Sequence, residues 1–179
     1  MKKSISEITD IFRAKRNFLS PEYRYYNTSD EERINRTWKI SFNSWQIKEL
    51  QKHLEAYREM YEITKPACAL SCKTFRCCEP STCEVTKEEM AERNITFPET
   101  GHKKGCYNSN DGCVLPPYLR PMCSNYLCGK ASRENKKVYT DFDKIKDSKL
   151  GKSQLKLEWQ WGIDPTVAIY RLLADGVLK

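Results

Sequence analysis

Glycine is scarce in this chain, seven in 179 residues, and histidine scarcer still, only His53 and His102. No stretch approaches the roughly 18 apolar residues that a membrane-spanning helix needs, so no membrane association is expected. Met1-Lys2-Lys3 supplies a positive start, but Ser4-Ile5-Ser6-Glu7-Ile8-Thr9-Asp10 follows where a secretory signal holds an unbroken apolar run. The chain therefore reads as cytoplasmic. It has no glycine-rich phosphate loop, no recognisable nucleophile–base pair and no histidine/carboxylate set for iron. With two histidines, acid–base catalysis would fall to carboxylates or lysines that look the same as surface charge. The balance leans against an enzyme. Low-complexity tracts and internal repeats are also missing, and the length fits a single domain over 1–179.

Cysteine is what the chain has in excess. All nine fall between Cys68 and Cys128, in two bursts. The first holds Cys68, Cys72, Cys77, Cys78 and Cys83; the second holds Cys106, Cys113, Cys123 and Cys128. Thiols are kept reduced inside cells, where clustered cysteines more often hold metal than pair as disulfides. An odd count also leaves one thiol over in any pure disulfide scheme. Structural zinc sites usually show C-x2-C knuckles or a cysteine/histidine mixture. Here the spacings are C-x3-C-x4-C-C-x4-C and C-x6-C-x9-C-x4-C, with no C-x2-C pair. All-thiolate ligation suits an iron–sulfur cluster or a zinc held by four cysteines. An iron–sulfur cluster of the [4Fe–4S] type is favoured, with zinc as the alternative. One four-thiolate centre is the simplest arrangement, because adjacent Cys77 and Cys78 do not easily place both sulfurs on one ion. The C-x3-C-x2-C of radical enzymes that use S-adenosylmethionine is absent.

These residues resemble the YkgJ-like cysteine-cluster family, catalogued as zinc- or iron-chelating. The matching pieces are Cys72-x4-Cys77-Cys78, then Val85-Thr86-Lys87-Glu88-Glu89-Met90, then Cys106 and Gly112-Cys113-Val114-Leu115. They close with Leu119-Arg120-Pro121-Met122-Cys123 and Cys128. The resemblance covers about residues 68–128, which would form a metal-binding lobe. By that resemblance the metal ligands are Cys68, Cys72, Cys77, Cys78, Cys106, Cys113, Cys123 and Cys128, with Cys83 extra.

Local signals predict the elements around the cysteines. Ser4-x-x-Glu7 is a capping box, and Ile5, Ile8, Ile11 and Phe12 follow at helical spacing, giving a helix to about Phe18. A second short helix starts at Ser29, with Asp30, Glu31 and Glu32 at its positive end. Trp38, Ile40 and Phe42 alternate with polar residues as in a strand. A helix from about Ser44 to Ile63 carries Ile47, Leu50, Leu54, Tyr57 and Tyr61 in one seam, and Pro66 ends it. Thr86-x-x-Glu89 caps a helix to about Asn94, Asn110-Asp111-Gly112 marks a turn, and Pro116-Pro117 and Pro121 exclude helix. Leu155, Leu157, Trp159 and Trp161 alternate as the clearest strand signal. Asp164-Pro165 is an N-cap followed by a proline at the first helical position. A closing helix over Thr166–Ala174, with Gly176 at its end, completes the chain. The expected fold is α+β: a small sheet of Trp38–Phe42 and Leu155–Trp161, packed helices, and a loop-rich, metal-organised cysteine lobe.

Lysine plus arginine number 31 against 24 acids, a net charge of +7. That balance permits nucleic-acid binding through phosphate neutralisation without requiring it. Tyr23, Arg24, Tyr25 and Tyr26 form an aromatic–basic patch suited to base stacking, and Lys103 and Lys104 add charge. Three functions compete: a metalloprotein acting as a structural or interaction module for a protein partner, an iron–sulfur redox or enzymatic accessory, and a nucleic-acid-binding module with a structural zinc.

Overall fold

A computed structural model describes residues 29–74, 80–98, 108–109, 112–113, 115–119 and 136–179. Within these it gives the backbone alone for 67–74, 80–83, 108–109 and 112. The described residues are mostly helical, at 78%. This overturns the α+β expectation. Only a two-residue antiparallel pairing is present among them: β1 (Asn108–Ser109) against β2 (Gly112–Cys113).

Helix α1 (Asp30–Lys39) opens on Ser29, whose hydroxyl accepts from the Glu32 amide at 3.2 Å. The Glu32 carboxylate returns the contact to the Ser29 amide at 3.0 Å, which completes a capping box. Trp38 thus lies inside a helix, and Ile40 and Phe42 belong to an irregular link, not to a strand. Both pack on the core from that link, so their alternation reported burial and not β structure.

Asn43 and Gln46 form a second reciprocal cap at 2.9 and 3.0 Å, where α2 (Ser44–Thr74) begins. The helix continues through Pro66, beyond its expected end. A proline inside a helix removes one hydrogen bond and costs about 3 kcal/mol. Here Pro66 and Glu62, the residue whose carbonyl loses its donor, are both exposed, so solvent can hydrate that carbonyl. Helix α3 (Pro80–Glu92) starts about two turns before Thr86, which is buried within it and does not cap it. It ends with Asn94 at φ 55° and the Ile95 amide on the Met90 carbonyl at 2.9 Å, a left-handed closure suited to Asn. The Pro116-Pro117 step forms one 3-10 turn, Pro117–Leu119.

From Lys136 to Gln160 the chain is continuously helical: α4 (Lys136–Ile145), a π-turn (Lys146–Leu150), α5 (Gly151–Gln154) and a second π-turn (Leu155–Gln160). The strand expected at Leu155–Trp161 is therefore a helix end. In a helix, residues two apart point to opposite sides. Leu157 is fully buried, whereas Leu155 and Trp159 are 50% and 54% exposed. The first π-turn explains how Ile145 and Leu150, five apart, both face inward.

The chain then turns at Gly162 (φ 60°), where lack of a Cβ permits the left-handed backbone, into α6 (Pro165–Ala174). Asp164 caps it, its Oδ1 accepting from the Val167 amide at 2.9 Å.

Three apolar clusters fill the interior. One joins Ala56, Tyr57 and Met60 of α2 to Phe142, Ile145 and Leu150. Another gathers Ile34, Met90, Ile95, Phe97, Leu115, Leu119 and Val167. The third packs Leu50 and Leu54 on Leu157, Ile163, Ala168, Ile169, Leu172 and Leu178. Tyr118, on the 3-10 turn, touches all three.

Candidate functional site

Two of the cysteine positions lie on α2 and a third on a strand that contacts it. Positions 68 and 72 are one turn apart, on the same face of that helix. Strand β2, which carries Cys113, packs against α2, as does the Pro117–Leu119 turn. Cys113 itself is half-buried, and its side chain lies against the cluster of Ile34, Met90, Ile95 and Leu119. Cys83 falls in the first turn of α3. Cys77, Cys78, Cys106, Cys123 and Cys128 lie outside the described residues, as do Tyr23, Arg24, Tyr25, Tyr26, Lys103 and Lys104. The expected helix over 4–18 is outside them too. Among the described residues, no group of three or more His, Cys, Asp or Glu side chains could hold a metal ion.

The donor chemistry nonetheless fits a thiophilic centre. Cys68, Cys72 and Cys113 sit on two elements in contact, and a half-buried cysteine beside aliphatic side chains offers the low-dielectric setting in which iron–sulfur centres are tuned. The two paired strands and the 3-10 turn are short, two and three residues long. Leu115 and Leu119 anchor residues 115–119 to the core.

A second polar assembly, not foreseen from sequence, lies between α1, α6 and the end of α3. The Asp164 amide donates to Thr37 Oγ1 at 2.8 Å, and that hydroxyl donates to the Arg33 carbonyl at 2.7 Å. Arg93 Nε sits 3.5 Å from Asp164 Oδ2, while the Arg93 carbonyl accepts from Trp38 Nε1 at 2.8 Å. Arg171 reaches back to the carbonyls of Thr37 and Ile40. These contacts tie α1, α6 and the α3 exit into one clamp. Burial raises the Glu158 carboxyl, against a hydrogen bond from Gln154 that lowers it. Tyr57 is pushed up by burial first, then by the charges of Glu158 and Asp164.

His53 stands apart. It is 1% exposed, and neither ring nitrogen has a hydrogen-bond partner. Its ring meets Tyr57 edge-on at 4.9 Å, and burial lowers its pKa from 6.5 to about 4. A neutral, buried imidazole set edge-on to Tyr57 is placed for packing, not for proton transfer to a solvent-borne substrate.

Comparison with family models, with curated proteins and with solved structures finds no match for this chain. The likeness to the YkgJ-like family thus rests on the cysteine spacings and flanking residues quoted above. No helix among the described residues is long and apolar enough to cross a membrane.

Proposed function

We propose that this chain is a cytoplasmic metal-binding protein whose cysteine lobe holds an iron–sulfur centre, most simply one [4Fe–4S] cluster, and serves as a structural or interaction module. The ligands are drawn from Cys68, Cys72, Cys77, Cys78, Cys106, Cys113, Cys123 and Cys128. One observation carries the reading: two cysteine positions a turn apart on α2 lie on the element that packs against the strand bearing Cys113. The chain's own residues supply thiolates, rigid turns and an apolar wall. Bound metal would supply cross-links among the cysteine-bearing segments, and its binding energy would become folding energy.

Anaerobic purification with iron, zinc and acid-labile sulfide analysis tests this. Iron and sulfide in equal amounts, lost together in Cys72→Ser and Cys113→Ser but kept in Cys83→Ser, are expected. Zinc without sulfide would replace the cluster with a structural ion. Native cystines with no bound transition metal, seen by non-reducing mass spectrometry, would end the proposal.

A further inference from the structure

Helix α2 and the Lys136–Gln160 helix pack antiparallel. Glu59 pairs with Lys149, Glu49 pairs with Lys156 at 3.3 Å, and Ser153 Oγ donates to the Glu49 carbonyl at 3.4 Å. That register sets the first turn of α2 opposite the last turn of its neighbour, and the two most exposed tryptophans among the described residues stand at this end. Trp45, one turn before Glu49, is 74% exposed; Trp159, three residues after Lys156, is 54% exposed.

Charge gathers at the same place. Glu49 is nearly buried, and its Oε2 is shared by two half-exposed lysines, Lys52 at 3.4 Å and Lys156 at 3.3 Å. One carboxylate therefore sits beneath two cations. Lys48 and Lys152 are exposed one turn away from them, each on its own helix. Lys152, Leu155 and Trp159 line a groove of about 380 Å³ together with Gly151, Gln154 and a single acid, Asp147. The surface is positive and carries flat aromatic faces between its cations. We propose that this end of the helix pair binds single-stranded nucleic acid, with phosphates on Lys48, Lys52, Lys152 and Lys156 and bases stacked on Trp45 and Trp159. The metal reading plays no part in this.

Charge complementarity and exposed indoles together select that occupant. Single strands are held without sequence preference by cations that track the backbone and aromatic rings that stack on bases. A duplex keeps its bases stacked on one another and would use the lysines alone. A membrane surface takes a helix whose apolar face is free to enter the lipid; here that face, with Leu150 and Leu157, is spent on the core. An acidic peptide would engage the lysines and leave the indoles without a stacking partner. The net charge of +7 adds long-range attraction for a polyanion.

Fluorescence anisotropy of the full chain tests this, with fluorescein-labelled single strands of DNA and of RNA, mixed in sequence and about 20 nucleotides long, beyond the usual site size. Four phosphate contacts predict a slope of log affinity against log salt of about −3, at about 0.7 per contact. Lys48→Gln/Lys152→Gln should flatten that slope to about −1.4. Trp45→Ala/Trp159→Ala should weaken binding about tenfold or more and leave the slope unchanged. All four side chains are exposed, and circular dichroism checks that both variants fold. No binding by the wild type, or binding that neither variant alters, overturns the proposal. So does duplex DNA bound as tightly as single strands, or attachment to phosphatidylserine vesicles without binding to either strand.

Discussion

Replacing His53 by leucine removes the most isolated polar group among the described residues. Leucine has similar volume and no polar atoms. At pH 7 the gain is the desolvation cost of ring nitrogens left without partners, about 1–3 kcal/mol. Losing the edge-on contact with Tyr57 offsets about 0.5–1.5 kcal/mol of this. A net gain of about 1 kcal/mol is expected in urea denaturation followed by circular dichroism under anaerobic, reducing conditions. The pH dependence is the sharper readout. His53 titrates near 6.5 when unfolded and about 4 when folded, so between those values the unfolded chain binds more protons. Stability should therefore fall as pH drops through that window, by about 3 kcal/mol in all at 1.36 kcal/mol per unit. Glu158 works in the opposite sense, because burial raises its carboxyl and the fold takes up its proton first. Subtracting the His53→Leu curve from that of the wild type cancels Glu158 and any thiol titration. A difference curve that is flat from pH 7 to 4, together with a variant less stable at pH 7, would refute the account of His53 as an orphaned interior group.

Asp164→Ala should cost about 2–4 kcal/mol, since it removes the α6 cap and leaves Arg93 without its partner; Asp164→Asn, which can still cap, should cost less in the same urea titration. Leu157→Ala should lose about 2–5 kcal/mol, against no more than about 0.5 kcal/mol for Leu155→Ala. Comparable losses at both positions would restore the strand interpretation. Tyr118→Ala should lower stability by about 2–4 kcal/mol and also speed metal release to a chelator, measured by absorbance. If metal release keeps its wild-type rate, the turn is not coupled to the cysteine lobe.

Capping chemistry was legible in the residues themselves. Ser29 with Glu32 and Asp164 with Pro165 satisfy local hydrogen-bonding rules that need no tertiary information, and both helices begin where those residues stand. Strand signals misled because period-two alternation records only which side chains differ in polarity. Trp38, Ile40 and Phe42 reach the interior from a helix end and a link; Leu155 and Trp159 alternate with Leu157 because they face away from it. A helical stripe was present in Phe142, Ile145, Leu150, Ser153 and Leu157, but its interval of five matches only a π-turn, which a period of 3.6 does not anticipate. Pro66 misled because a proline on a solvated face leaves its orphaned carbonyl to water, which lowers the cost of continuing the helix. Of the cysteine site, the shared helical face of positions 68 and 72 follows from their spacing once the helix is seen to continue. The approach of β2 to that helix is a long-range contact, and no local pattern encodes it.

Tyr118 has a consequence for how this protein would respond to damage. A single aromatic ring wedges between three separate apolar compartments, and it hangs from the short turn that links Cys113 to Cys123. Under the proposed metal reading, oxidation of the thiols or loss of the metal would tug on that turn and loosen all three compartments at once. A chemical insult confined to the thiols would then register as melting of helices far along the chain, making the whole body a reporter of its most reactive atoms.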